Sequence, residues 1–225
     1  MLGFISNIDF TFIANAGPLY AEAAKRTVLL AGAGIFLSLA IGLVCSLIRF
    51  YRIPVLKTLV GAYIELSRNT PLMIQLFFLY YGLPRVGLRL EGITCGILGL
   101  AFLGGGYMAE AFRSGLEAVS RVQIEAGLSI GLSRPQLVRY VLLPQALAVA
   151  VPAVAANTIF LMKETSVFSI VALADLVYVF KDLIREGHSN ENIYMLVIFY
   201  LIIILPVSLF FGRLERRMRR AGFSS

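Results

Sequence analysis

The run from Thr27 to Ile48 carries no charged side chain, and three more runs share that property: Gly92 to Ala109, Tyr140 to Met162 and Asn192 to Gly212. A helix needs about 20 largely apolar residues to cross the hydrocarbon core of a bilayer, and inside that core it satisfies its own backbone N–H and C=O groups. These runs confine the chain to an all-α integral membrane bundle. A fifth segment, Leu56 to Leu83, is longer than a simple span and is interrupted by Glu65, Arg68 and Asn69-Thr70-Pro71. Proline frees a carbonyl one turn earlier, and a charge near the bilayer centre costs at least about 2.5–3.5 kcal/mol unless paired or wetted. Something other than lipid faces those groups. Glu65 and Arg68 stand three apart on one helical face and are placed to neutralise each other. Neighbouring Lys57 leaves a second reading open, in which the pair snorkels to the headgroups.

Composition agrees with a membrane protein: 59% of the 225 residues are hydrophobic and 15% charged, with a mean hydropathy of +0.84, richer in apolar side chains than a soluble domain. That length accommodates about five transmembrane helices and leaves no room for a separate soluble catalytic domain. The chain reads as a single transmembrane domain, 1–225, with spans near 27–48, 57–83, 92–112, 138–162 and 192–212. A net charge of +7 raises nucleic acid as a partner, but the arginines gather at span ends and in the tail, where cytoplasmic flanks and anionic headgroups account for them. Cys45 and Cys95 lie in apolar segments without C-x-x-C spacing or a His cluster, so they read as structural thiols, with no metal site and no cofactor in this chain.

Along the chain, Met1 to Glu22 has no basic n-region or small-residue cleavage site and does not read as a removable signal peptide. Phe4, Ile8, Phe10, Phe12 and Ile13 are apolar among polar residues, and Gly17-Pro18 is a helix breaker, so this arm is expected along the outer interface. Gly92, Gly96, Gly99 and Gly104-Gly105-Gly106 let helices approach closely and read as a helix contact. Glu110, Arg113 and Glu117 form a charged stripe at a solvated helix end. Thr165 to Ala174 is apolar but too short to cross, which suggests a re-entrant turn that keeps Glu164 and Ser166 inside; the plainer alternative is that Lys163 and Glu164 snorkel at the interface. Asp175 to His188 has the pattern of an amphipathic helix lying at the outer surface, with Leu176, Phe180, Leu183 and Ile184 on its apolar side. His188 reads as a surface residue. With five spans and the positive-inside rule, the N-terminus is expected outside and the arginine-rich tail, from Arg213 to Arg220, in the cytoplasm.

Between the third and fourth of these spans lies EAGLSIGLSRPQLVRYVLLP, Glu125 to Pro144. Ile124, Leu128 and Ile130 to Leu132 are apolar against Glu125, Ser129 and Ser133, the pattern of a short amphipathic helix, and Gly131 suits a sharp end to it. Glu125-Ala126-Gly127, then Gly131, then Val141-Leu142-Leu143-Pro144 resembles the EAA loop of the membrane subunits of bacterial ABC importers: E-A-A, three residues, G, nine residues, I-x-L-P. Gly127 and Val141 depart from it. Lys163-Glu164-Thr165-Ser166 is similar to the K-D-T-S element of the polar amino-acid uptake subfamily, and Arg68-Asn69-Thr70-Pro71 to its R-G-T-P element, departing at Asn69.

The resemblance implies a type I importer-like fold and a permease subunit of the bacterial inner membrane that moves amino acids and performs no chemistry on them. It implies that the loop at 121–136 couples to a cytoplasmic ATPase dimer through Glu125, Ala126, Gly127, Gly131 and Pro144, with ATP and Mg bound by that partner. A second permease subunit, identical or homologous, and an extracytoplasmic amino-acid-binding protein complete the expected partners, within membrane lipid. Asn69, Thr70, Gln75, Glu164 and Ser166 are the expected substrate contacts, with Glu164 facing an ammonium or basic side chain. The rival reading is an ion-gradient secondary transporter or channel, which calls for paired inverted halves or a membrane-embedded proton relay; the sequence has no internal repeat and no His-carboxylate chain. A membrane scaffold would explain the docking loop but not the polar groups in spans two and four.

Overall fold

The computed structural model describes residues 9–185, 187 and 190–220, and among them no strand occurs. Phe4, Ile8, Glu186 and His188 lie outside the described residues. The helices are α1 (Phe10–Phe50), α2 (Leu56–Arg68), α3 (Leu72–Phe77), α4 (Gly92–Glu117), α5 (Arg121–Ser129), α6 (Arg134–Leu137), α7 (Leu143–Glu164), α8 (Leu176–Arg185) and α9 (Asn190–Arg220). Two π-helical segments, Phe78–Gly82 and Val138–Leu142, and two 3₁₀-helices, Leu83–Val86 and Thr165–Val171, join several of them. Among the described residues, four helical runs are long and apolar enough to cross a membrane: Thr11–Phe50, Gly92–Glu117, Arg134–Val171 and Glu191–Met218; Leu72–Val86 is a shorter apolar run.

The first correction concerns the N-terminal arm. Gly17-Pro18 does not break the chain: α1 runs through Pro18 without interruption. One lost hydrogen bond is outweighed because Phe12, Ala16, Tyr20 and Ala23 bury one side of this stretch against Leu176, Leu183 and Met195. The expected boundary at Thr27 is an ordinary helical position, its hydroxyl donating to the Ala23 carbonyl at 2.9 Å.

Both π-helical segments precede a proline, and the geometry explains why. Pro84 and Pro144 lack an N–H and crowd the carbonyl four residues earlier. In each case the residue before the proline donates five residues back instead, Leu83 to the Phe78 carbonyl and Leu143 to the Val138 carbonyl. The widened turn makes room for the ring without ending the helical run.

The chain divides into two compact units, one of Met1–Gly34, Leu72–Leu100 and Met162–Pro206, the other of Ile35–Pro71, Ala101–Leu161 and Val207–Ser225. In the first unit, the 3₁₀-helix Thr165–Val171 stands where a re-entrant turn was expected; it packs against α3 and α8 and ends at Ala172, whose φ of 56° is left-handed. A Cβ on Gly92 or Gly96 of α4 would collide with the Val171 carbonyl oxygen at 2.3 Å or a Leu173 methyl at 2.9 Å. In the second unit, the glycines of α4 bring α1 and α2 in: a Cβ on Gly104 would lie 2.2 Å from Ser38 Oγ, one on Gly105 2.3 Å from the Tyr63 hydroxyl, and one on Gly106 2.1 Å from Ser67 Oγ. The glycine face is thus a packing surface, as tight association of helices in lipid requires. By contrast, the apolar side chains Ile198, Leu201, Ile202, Leu205 and Leu209 of α9 are exposed, a surface suited to hydrocarbon rather than water.

Candidate functional site

In the second unit the stretch around Glu125 folds into a closed knob. Ser120 stands just ahead of α5 in extended conformation, and its side chain accepts a hydrogen bond from the Gln123 N–H at 3.3 Å, an N-cap that the sequence reading did not identify. At the other end Gly131 takes a φ of 84°. Its N–H donates to the Leu128 carbonyl at 3.0 Å, and the Leu132 N–H reaches back to the Gly127 carbonyl at 3.1 Å. This pair of bonds is a Schellman closure, with a positive-φ glycine where the chain reverses. Immediately afterwards the Ser133 N–H donates to Gln136 Oε1 at 2.9 Å and starts α6.

The five residues named for coupling have different surroundings. Glu125, Ala126 and Gly131 are exposed, and Pro144 is half-buried beyond the second π segment. Gly127 is buried: a Cβ there would lie 2.5 Å from a Leu137 methyl. Its role is to let α6 fold back onto α5. Ile124 packs with Val119, Leu142 and Ala146 and anchors the knob. Outside, Ile130 is 80% exposed, Val122 72% and Leu128 48%, which is more bare apolar surface than a short polar connection needs and suits a protein partner.

Also in the second unit, Asn69 and Thr70 finish α2. The Asn69 side-chain amide donates to the Glu65 carbonyl at 2.8 Å and to its carboxylate at 3.0 Å, and the Thr70 hydroxyl donates to the Leu66 carbonyl at 2.7 Å. The spacing-based pairing of Glu65 with Arg68 is not formed. Arg68 instead lays its guanidinium over the Tyr107 ring, 5.2 Å from the centroid. Glu110 is no bare helix end either: it binds Arg49 of α1 and Arg113, each at 2.6 Å, and Arg113 continues to Glu117. Spacing along one helix cannot reveal the Arg49 contact.

In the first unit, Gln75 is buried on α3, Glu164 is half-buried at the end of α7, and Ser166 is half-buried in the 3₁₀-helix, while Lys163 is exposed. Packing of α3 on the 3₁₀-helix gathers the neighbourhoods of Gln75 and Ser166. Asp175 is a buried carboxyl that sequence reasoning passed over. It caps α8, accepting from the Tyr178 N–H at 2.9 Å, and its Oδ2 is buried with no hydrogen-bond partner among the described residues. Burial pushes this carboxyl up to about 6, against a smaller downward pull from backbone hydrogen bonds and Lys181. The signal available in the sequence was an Asp directly ahead of an amphipathic run. No group of three or more metal-ligating side chains occurs among the described residues.

The family described as "Binding-protein-dependent transport system inner membrane component" matches residues 34–220. The glutamine transport system permease protein GlnP of Escherichia coli K12 is 34% identical over 214 residues, 94% of this chain and 98% of that protein. The probable glutamine ABC transporter permease protein GlnM of Bacillus subtilis is 32% identical over 205 residues, 90% of this chain and 94% of its own length. Among solved structures, the crystal structure of an amino acid ABC transporter with histidines superposes with a TM-score of 0.85 at 30% identity, covering 94% of this chain and 99% of that one. An inward-facing conformation of the methionine transporter MetNI, at 20% identity and a TM-score of 0.76, shares the fold.

Proposed function

We propose that this chain, which belongs to the family of binding-protein-dependent transport system inner membrane components, carries amino acids across the inner membrane and couples their passage to ATP hydrolysis through the knob at α5. The chain is a multi-pass membrane subunit and not an enzyme; in such systems a separate subunit hydrolyses ATP. The ion-gradient alternative is set aside on that family membership.

The observation that carries the coupling role is the Schellman-closed knob with Val122, Leu128 and Ile130 bare on its surface. A rigid, apolar projection can be gripped and can transmit force. In this reading the knob lies in the cytoplasm against one subunit of an ATPase dimer, the N-terminus lies outside, and five spans form a single permease domain that pairs with a second permease subunit. An extracytoplasmic binding protein delivers the amino acid. In the second unit, Asn69 and Thr70 are proposed to contact substrate, and in the first unit Gln75, Glu164 and Ser166; Glu164 takes the ammonium or a basic side chain. Glutamine is the first substrate to try, since two of the similar permeases are named for it.

The deciding experiment reconstitutes the chain with its ATPase and binding protein and follows ATP-dependent uptake. Gly131→Arg, which places a bulky charge on the knob where nothing stands within 4 Å, is expected to leave insertion intact and abolish substrate-stimulated ATP hydrolysis. Unchanged coupling would remove the knob from the ATPase contact. Glu164→Gln is expected to weaken affinity or alter selectivity; transport identical in both would strike Glu164 from the substrate contacts.

A further inference from the structure

We propose that Asp175 and Tyr200 form a proton-operated latch: with a proton on Asp175 Oδ2 the helix α8 stays seated on the first unit, and loss of that proton releases it. The contacts that seat α8 all lie in that unit. Leu176 and Leu183 turn into the core made by Tyr20 and Ala23 of α1 and Met195 of α9, and the Tyr200 ring packs against the same core. The chain enters α8 through Ala172, a non-glycine residue with a φ of 56°, and the Leu176 N–H reaches the Thr27 hydroxyl at 3.4 Å. Asp175 supplies the cap, its Oδ1 accepting from the Tyr178 N–H. A strained turn therefore leads into a capped apolar helix, an element with a seated and an unseated arrangement.

The surroundings of the other carboxyl oxygen decide when α8 is released. Asp175 is fully buried, and the Tyr200 hydroxyl lies within its electrostatic reach. Asp175 Oδ2 and that hydroxyl are both buried without a hydrogen-bond partner among the described residues. Thr165 stands beside the hydroxyl but outside hydrogen-bond geometry, its own proton given to the Met162 carbonyl at 2.7 Å. From α1, Tyr20 is engaged with Asn192 and Thr27 with Ala23. From α8 itself, Lys181 pulls on the carboxylate, but its ammonium donates to Ser169 at 3.0 Å. An ionised oxygen in such a place is desolvated without compensation, whereas a protonated one is a donor that the Tyr200 oxygen can accept. Burial accordingly keeps the proton on Asp175 up to about 6. The latch bears on transport because α8 packs against the 3₁₀-helix Thr165–Val171, which carries Ser166 and follows Glu164; that consequence rests on the importer reading above.

The test measures hydrogen exchange at the Tyr178 and Val179 amides, which bond to Asp175 Oδ1 and the Asp175 carbonyl, corrected for the intrinsic rate at each pH, in the complex with its ATPase and binding protein. With the carboxyl at about 6 seated and 3.8 in its ordinary state, opening of α8 in the wild type should increase about 10-fold between about pH 5 and about pH 7. Asp175→Asn keeps the cap and carries a fixed donor in place of the proton, so it should stay closed across that window. Tyr200→Phe removes the acceptor and should open more at the acid end, with a shallower rise. Wild-type opening that ignores pH, or the same rise in Asp175→Asn, overturns the latch; if Asp175→Asn fails to assemble, a Tyr200→Phe profile identical to the wild type does so. In liposomes supplied with ATP and a mixture of radiolabelled L-amino acids, uptake by the wild type relative to Asp175→Asn should fall as pH rises across the window, the partners' own titrations cancelling in the ratio. A constant ratio beside a normal exchange slope would overturn the effect on transport. Absence of ATP-dependent uptake in both forms would instead sink the importer reading, while the exchange profile still decides the latch.

Discussion

Replacing Gly131 by alanine adds a Cβ to a residue held at a φ of 84°, and nothing stands within 4 Å of that Cβ. The whole cost therefore lies in the backbone, which isolates conformation from packing. A side chain in left-handed conformation costs roughly 1–2 kcal/mol relative to glycine, and the closure it opposes consists of the Gly131 and Leu132 N–H bonds to Leu128 and Gly127. If those bonds open locally, the population of the open knob rises about 5- to 30-fold. The Leu132 amide is the reporter, because its protection depends on the chain reversal at Gly131. Hydrogen exchange at Leu132 should accelerate by that factor in Gly131→Ala. In Gly131→Asn the acceleration should be smaller, since asparagine tolerates left-handed φ better than alanine. Substrate-stimulated ATP hydrolysis should follow the same order in the reconstituted complex. Equal exchange in the glycine, asparagine and alanine forms would refute the argument, as it would mean that the left-handed turn is not what holds the knob shut.

Three further outcomes follow from contacts inside single units. Gly42→Ala places a Cβ 2.4 Å from Met108 Cβ and 2.8 Å from the Ala109 backbone nitrogen, neither of which can swing away, so it should lower detergent stability by about 1–3 kcal/mol; a wild-type melting temperature would contradict that packing. Glu110→Gln and Arg49→Gln, alone and together, should give a coupling energy of about 1–3 kcal/mol in a double-mutant cycle, and additive effects would mean the ion pair is not a pair in solution. Asp175 titrates near 6 when folded against 3.8 in its ordinary state, so the folded form binds its proton more tightly. Stability from this group is present below about pH 4 and declines by about 3 kcal/mol at most as pH rises to about 6, staying level above. Asp175→Asn should flatten that slope in melting curves taken across the window, and an unchanged slope would assign the pH dependence elsewhere.

Fold class was legible from the sequence because the bilayer is an intolerant solvent: a long run without charge has one way to satisfy its backbone there. The knob was legible because a positive-φ turn needs glycine or a close substitute, so Gly131 marked its place. Gly127 was less transparent. In the sequence it is a departure from the alanine of the E-A-A pattern; in the structure it is the gap that receives Leu137. The amphipathic pattern at 175–188 located α8, while its cap, Asp175, was missed because one carboxyl ahead of a helix says nothing about burial until the neighbours are known.

What the residues determined unaided was the set of apolar runs and the site of the sharp turn, both properties of solvent and backbone that act locally. The tertiary structure alone decided that α1 continues through Pro18, that Glu110 reaches Arg49 and that Arg68 leaves Glu65 for the Tyr107 ring. Each outcome depends on which side chains from distant parts of the chain arrive at the same place. A lost backbone bond is tolerable when apolar packing surrounds it, and a charge takes the partner that neighbouring helices present rather than the nearest one in sequence.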